Sequence, residues 1–287
     1  MNKKRILKKV KYSLRFLPDK MYLQLHYFIK FKRFINFKDP KTFNEKINWL
    51  KIHDRNPEYT KMVDKYEAKE YVKNIIGEKY IIPTIGVWDK FEDIDFQKLP
   101  DQFVLKCTHD SEGLVIVKDK SKLDIREAKK KIEEAMRYNF FYIGREYPYK
   151  NIKPRIIAEP YLEDSTNHEL RDYKFFCFNG KVEIYKIDFN RQTKHQANYY
   201  DRKGNLLKFG EVICPPDYNK KIKKPEKLKL MIKLAEQLSS DDCFVRIDFY
   251  QVNGQVFFGE KTFYPASGFG KFTDPKWDYN LGKLMII

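Results

Sequence analysis

The sequence predicts an α+β fold with helices concentrated early and antiparallel hairpins dominating the C-terminal half. Three observations predict it. Helix-start residues at Thr42 and Asp64 stand ahead of helical segments. Short apolar runs of strand length recur from Phe103 onward. Turn dipeptides join pairs of these runs at Asn179-Gly180, Gly204-Asn205 and Asn253-Gly254. At 287 residues, the chain suits one large α/β unit or two intimately packed subdomains.

The elements follow in order. Thr42 and Glu45 form a capping box, the hydroxyl taking the N3 amide while the carboxylate reaches back, and Phe43, Ile47 and Leu50 then share a helical face. A second helix starts at Asp64, with Glu67 at N3, and stops at Gly77. Residues 81–87 are apolar but broken by Pro83 and Gly86. Strands are expected at 103–107 and 114–117, with the turn-prone stretch 108–113 between them. A charged helix is expected at 124–138 and a strand at 155–159. Hairpins follow at 172–189 and 199–207. Pro225 at N1 opens an amphipathic helix through Leu228, Met231, Ala235 and Leu238. The last hairpin pairs 244–250 with 256–263. No internal repeat, low-complexity linker or clear boundary interrupts the chain.

Composition narrows the classes. Aromatic content of 16% excludes a disordered chain. A net charge of +17 favours anionic partners, whether nucleotide, polyanionic glycan, nucleic acid or anionic membrane, although a Lys-rich codon habit gives the same excess. Cys107, Cys177, Cys214 and Cys243 are widely spaced, which reads as buried reduced thiols of a cytoplasmic protein. No run is long enough for a transmembrane helix, and no signal-peptide pattern is present. Residues 1–38 carry twelve Lys/Arg against one Asp, interleaved with Phe16, Leu17, Met21, Leu23, Leu25, Tyr27, Phe28 and Ile29. Such a basic amphipathic segment suits either a peripheral contact with the inner face of the cell membrane or an ordinary surface helix.

The last hairpin carries the main chemical signal. Val245, Ile247 and Phe249 alternate with Arg246, Asp248 and Tyr250, and Glu260 lies between Phe258 and Thr262 on the return strand. A two-residue Asn253-Gly254 loop places Asp248 and Glu260 on opposite faces. A three-residue loop with a G1 bulge puts them on one face, with Glu260 opposite Arg246, and this is the expected register. Two adjacent carboxylates repel unless a cation lies between them, either a hard divalent ion or Arg246 itself in a structural ion pair.

Elsewhere, Lys106 ends an apolar strand before a small-residue loop, a placement that can reach a phosphate or simply solvent. Glu159-Pro160-Tyr161-Leu162 reads as a hinge or a plain turn. There is no Walker A sequence, and Gly268-Phe269-Gly270 lacks a dinucleotide context. His109 has no triad partners, and Asp241-Asp242 is a turn rather than a D-x-D motif.

In order, Asp64-Lys65, Phe103 to His109, Glu159 to Leu162, Asp172-Tyr173-Lys174-Phe175, Arg246-Ile247-Asp248 and Gly259-Glu260-Lys261-Thr262-Phe263 resemble an ATP-grasp protein. With Thr42 to Ile47 added, the chain is similar to the TupA-like ATP-grasp family, associated with teichuronopeptide and surface-polysaccharide biosynthesis. The likeness runs from about residue 38 to the C-terminus.

The resemblance implies a nucleotide held between two α+β subdomains. It divides the chain into a basic segment 1–40 and a catalytic unit 41–287, with parts 41–98, 99–160 (lid-like) and 161–287 (Mg-binding). It implies ATP and Mg²⁺ as cofactors. Lys65 and Lys106 contact phosphates, and the loop from Thr108 through Ser111 to Gly113 closes over them. Glu159, Tyr161 and Leu162 frame adenine, Asp172 meets the ribose, and Lys174 approaches the γ-phosphate. Asp248 and Glu260 hold Mg²⁺, and Arg246 steadies the transferring phosphoryl group. Thr262 stands where many such enzymes have Asn, so a third protein ligand is in question.

The implied activity is an ATP-dependent carboxylate–amine ligation through an acyl-phosphate, joining an amino acid or peptide to a uronic acid of a surface glycan or its precursor. A glycosyltransferase of polysaccharide biosynthesis and a non-catalytic polyanion- or membrane-surface-binding protein are the alternatives. No nucleic-acid motif is visible, so no nucleic-acid partner is expected.

Overall fold

The computed structural model describes residues 3–110, 112–165, 170–191 and 193–287. The helices are α1 (Lys3–Ser13), α2 (Asp19–Phe31), α3 (Phe43–His53), α4 (Tyr59–Val63), α5 (Glu67–Ile76), α6 (Ile125–Met136), α7 (Phe141–Gly144), α8 (Leu228–Leu238) and α9 (Lys276–Leu284). The strands are β1 (Gly86–Trp88), β2 (Phe103–Cys107), β3 (Leu114–Val117), β4 (Ile156–Pro160), β5 (Asp172–Phe178), β6 (Lys181–Phe189), β7 (Gln196–Asp201), β8 (Leu206–Leu207), β9 (Phe244–Val252) and β10 (Gln255–Thr262). Two compact units form: Met1–Asp19, Arg55–Tyr71 and Ile81–Leu162 make the first; Lys20–Asp54, Val72–Tyr80 and Glu163–Ile287 make the second. Residues 1–40 are thus divided between them after Asp19.

The first unit is built on an antiparallel sheet of order β1-β4-β2-β3. Alternation in β2 sends Phe103, Leu105 and Cys107 into the core with Ala128, Ile132 and Ala135 of α6. Those α6 residues recur at i, i+4 and i+7, and Asp124 caps the helix by accepting from the Arg126 and Glu127 amides at 2.9 and 3.0 Å. Truncating fully buried Ile132 to Ala removes about 2–4 kcal/mol of stability. The opposite sheet face carries Lys106 and Glu159. As expected, Asp64 opens α5, its carboxylate accepting from the Tyr66 and Glu67 amides, and Gly77 with φ +102° ends it.

The second unit is an antiparallel sheet of order β10-β9-β5-β6-β7-β8. One face, with Phe175, Cys177, Val245 and Ile247, lies on the side of α8, whose Leu228, Met231, Leu234, Ala235 and Leu238 are buried. Pro225 is not the N1 residue of that helix. It sits in a preceding turn that accepts from the Leu228 amide at 3.1 Å, and Lys227 is the N-cap. The turn uses the fixed φ of proline without propagating α-helix through it.

The capping box at Thr42 and Glu45 is present. The sequence reading missed the polar face of α3. Asn44, Asn48 and Lys51, at i, i+4 and i+7, donate to the carbonyls of Gly270, Gly268 and Ser267 at 2.8, 2.7 and 2.7 Å. They pin the segment after β10, where Ala266 and Ser267 adopt positive φ of 47° and 54°.

The last hairpin corrects the expected register. Val252 pairs Gln255 across a two-residue turn, with Asn253 and Gly254 at φ 49° and 79°. That turn alone would separate Asp248 from Glu260. A bulge between Phe258 and Glu260 restores the parity, so Glu260 pairs Asp248 directly and Thr262 pairs Arg246. The shared face survives, but Gly259 supplies the offset rather than the loop.

Candidate active site

In the second unit, the sheet face opposite α8 carries a ladder of charges. Arg246 on β9 donates from Nε and Nη2 to both oxygens of Asp248 at 2.6 and 2.7 Å. The same Nη2 donates to Glu260 on β10 at 2.6 Å and to the Thr262 hydroxyl at 3.1 Å. The Thr262 hydroxyl donates to Glu260 at 3.0 Å. On β5, Lys174 pairs Asp248 in register, donates to its carboxylate, and lies 2.9 Å from Asp172. Arg191 donates to Asp172 at 2.8 Å. On β6, Lys186 donates to Glu211 at 2.7 Å and lies 3.5 Å from Asp188. Alternation across four strands thus aligns Glu260, Arg246, Asp248, Lys174, Asp172 and Asp188 on one face.

Burial sets their electrostatics. Asp248 is 1% exposed; burial pushes its carboxyl up to about 6 against the pull of Arg246 and Lys174, so it is ionised at neutral pH. Burial would lower Lys174, but Asp172 and Asp248 win and raise it. Burial would raise Asp188, but Lys186, His195 and Lys174 hold it low. The Glu260 side chain is 41% exposed, making it the solvent end of the ladder.

Asp248, Glu260 and Thr262 offer oxygen donors at paired positions, the donor chemistry of a hard divalent cation. The Arg246 guanidinium lies between the carboxylates as their counter-cation, which is the structural ion pair posed above. No cluster of three or more His, Cys, Asp or Glu arranged to hold a metal occurs among the described residues.

In the first unit, Glu159 on β4 is buried between two lysines. Lys106 of β2 donates to one carboxylate oxygen, and Lys69 of α5 lies 2.6 Å from the other. Lys69 also donates to the Ile82 carbonyl at 2.8 Å and the Thr84 hydroxyl at 2.7 Å. Burial would raise the Glu159 carboxyl, yet the two lysines bring it below its usual range; burial lowers Lys69. Lys69 escaped the sequence reading. Its signal was spacing: it lies one helical turn after Lys65, on the first turn of a capped helix.

Lys65 itself donates to the Asp110 carbonyl and does not join Lys106. The 108–113 loop is held by Asp110, which accepts from the Gly113 amide at 2.9 Å. Gly113 is needed for packing, since a Cβ there would lie 2.2 Å from the Cys107 sulfur. Ser111 lies outside the described residues. Tyr161 and Leu162 follow β4 as half-buried residues, with the Lys118 ammonium 5.3 Å from the Tyr161 ring centre. Cys107, Cys177 and Cys214 are buried free thiols, and Cys243 is a half-buried one.

A family described as TupA-like ATPgrasp matches residues 45–286. No curated protein is significantly similar in sequence. Among solved structures, the chain is similar to a D-alanine–D-alanine ligase from Helicobacter pylori, at 16% identity and TM-score 0.45, over 85% of this chain and 69% of that one. It is similar to an L-amino acid ligase from Bacillus licheniformis at 13% identity and TM-score 0.47, over 89% and 57%. A D-alanine–D-alanine ligase from Bacillus anthracis complexed with ATP is similar at 18% identity and TM-score 0.40, over 70% and 53%. The chain thus spans between about half and 69% of the length of these structures.

Proposed function

The chain belongs to the TupA-like ATP-grasp family, and from that premise we propose that it is an ATP-dependent carboxylate–amine ligase working through an acyl-phosphate. The observation that carries the reading is the ladder Glu260–Arg246–Asp248–Lys174 on one sheet face, with anionic and cationic groups alternating at hydrogen-bond distance.

In this reading, Asp248 and Glu260, with the Thr262 hydroxyl beside them, hold Mg²⁺, which when bound neutralises charge on the phosphates. Lys174 and Arg246 supply cationic donors to the transferring γ-phosphoryl group. Within the first unit, Lys106 and Lys69 are donors suited to phosphate oxygens, with Glu159 holding both ammoniums in place until nucleotide arrives, and Tyr161 and Leu162 are suited to border adenine. Within the second, Asp172 is the residue suited to the ribose. A substrate carboxylate oxygen attacks the γ-phosphorus and ADP leaves. The amine nitrogen then attacks the acyl carbon, phosphate leaves, and the amine proton passes to solvent or to a neighbouring base. The acyl-phosphate hydrolyses in water, so the chemistry needs a closed, dry site.

The family association supports a narrower substrate class: a uronic acid of a surface polysaccharide or its precursor as the carboxylate, and an amino acid or peptide as the amine. The test is incubation with Mg·ATP and paired uronic-acid and amino-acid acceptors. ADP and phosphate should form in step with an amide product. AMP and pyrophosphate, or no nucleotide turnover with any pair, overturns the reading.

A further inference from the structure

Helix α2 is apolar on two sides. Its inner side is buried in the second unit through Tyr22, Leu23 and Tyr27, with the His26 ring 3.9 Å from that of Phe269. Its outer side carries Met21, Leu25, Phe28 and Ile29 at i, i+4, i+7 and i+8, all exposed, Ile29 by 60%. Phe34, 64% exposed, stacks on Phe28 with ring centres 4.9 Å apart and extends this stripe into the following turn. The turn is fixed rather than loose: Gln24 donates to the Ile35 carbonyl at 2.9 Å and accepts from its amide at 2.8 Å. Arg33 is held by Tyr27 and Glu45. Ordinary surface helices do not hold five exposed large apolar side chains in one pre-set patch.

Charge decides what covers it. Lys20, Lys30, Lys32 and Lys38 are exposed around the patch, within a stretch whose only acidic residue through position 38 is Asp19. A second copy of the chain would bring two such cationic rims together. An anionic lipid surface takes both features, acyl chains receiving the apolar side chains and headgroups the ammoniums. No helix among the described residues is long and apolar enough to cross a membrane, so the contact is peripheral. We propose that the outer face of α2, with Phe34, docks the protein on an anionic membrane surface. This inference is independent of the ligase reading.

The test is co-sedimentation of the full chain with phosphatidylcholine vesicles with and without 30% phosphatidylglycerol, across a salt series. Binding is expected only with the anionic lipid, weakening as salt rises. Phe28→Ser with Ile29→Ser should lower the partition coefficient by about tenfold or more. Lys30→Glu with Lys32→Glu, which leaves every buried contact of α2 in place, should lower it similarly at low salt. Thermal unfolding of each variant should match the wild type, because these side chains are exposed. No binding to anionic vesicles, binding by both variants as strong as that of the wild type, or concentration-dependent dimerisation abolished by the Phe28/Ile29 change instead of lipid binding overturns the proposal.

Discussion

Lys69→Met discriminates sharply between the two lysines of the Asp64–Lys69 segment. Lys69 sits beside Glu159 at 2.6 Å, with Ile82 and Thr84 as further acceptors, whereas Lys65 serves the Asp110 carbonyl. Methionine keeps the stem of Lys69 and removes its ammonium. Lys106 remains to neutralise Glu159, but the Ile82 carbonyl and the Thr84 hydroxyl lose a charged donor as well, so the loss of stability is about 1–3 kcal/mol. For a chain of this size that is a fall of about 2–12 °C in melting temperature. A charged donor to a phosphate contributes about 1.5–3 kcal/mol, so nucleotide affinity should fall roughly 10- to 100-fold. Titration calorimetry with a non-hydrolysable ATP analogue and Mg²⁺ measures this against Lys65→Met, for which a change of no more than about threefold is expected. If Lys65→Met weakens binding as much as Lys69→Met, or if Lys69→Met binds like the wild type, the assignment of Lys69 to the nucleotide is refuted.

Three further outcomes follow from the buried charges. The Glu159 carboxyl is held below its ordinary value, so the unfolded state binds its proton at higher pH; its stabilisation is present above the unfolded pKa of about 4 and is lost as pH falls through the lower folded value. Glu159→Gln should therefore flatten the acid limb of a melting-temperature profile, and an unchanged limb would contradict the ion-pair account. Lys51→Met removes a fully buried ammonium and leaves the part-buried Ser267 carbonyl without its 2.7 Å donor, and should cost about 1–3 kcal/mol in urea unfolding. Arg246→Met removes the cation between Asp248 and Glu260. Divalent-ion affinity, read by Mn²⁺ magnetic resonance, should rise about tenfold while turnover is lost. Unchanged or weaker Mn²⁺ binding would mean that Arg246 does not compete with the ion.

Local rules carried most of the fold. The Thr42 capping box, strands 103–107 and 114–117 and the 172–189 hairpin all depend on neighbours within a few residues, and all stand where spacing and turn chemistry put them. What was hidden depends on contacts distant in sequence. The α3 polar face has no visible partner until the chain returns, more than two hundred residues later, with the carbonyls of Ser267, Gly268 and Gly270. The bulge at Gly259 was masked because an Asn-Gly turn offers two loop lengths, and parity alone cannot say where the extra residue lies. Lys69 was passed over because a lysine on a capped helix resembles any surface lysine until Glu159, from a strand ninety residues on, is brought beside it.

The two faces of the six-stranded sheet show what the chain has been shaped to keep. Over α8, strand alternation produces an ordinary apolar layer. On the other face, the same alternation places Arg246, Asp248, Lys174, Asp172, Asp188 and Lys186, each under 10% exposed. Withdrawing an ion from water costs several kcal/mol even when it is paired, and well-packed apolar residues of similar volume would often be as stable or more so. The ladder is also incompletely satisfied: among the described residues one buried oxygen each of Asp172 and Asp188 has no hydrogen-bond partner, that of Asp188 having only the Lys186 ammonium at 3.5 Å. A face maintained only for stability has no reason to retain such groups. In the ligase reading proposed above these charges meet a triphosphate and its metal, and their partners within the protein are substitutes that hold each side chain in position until the ligand replaces them.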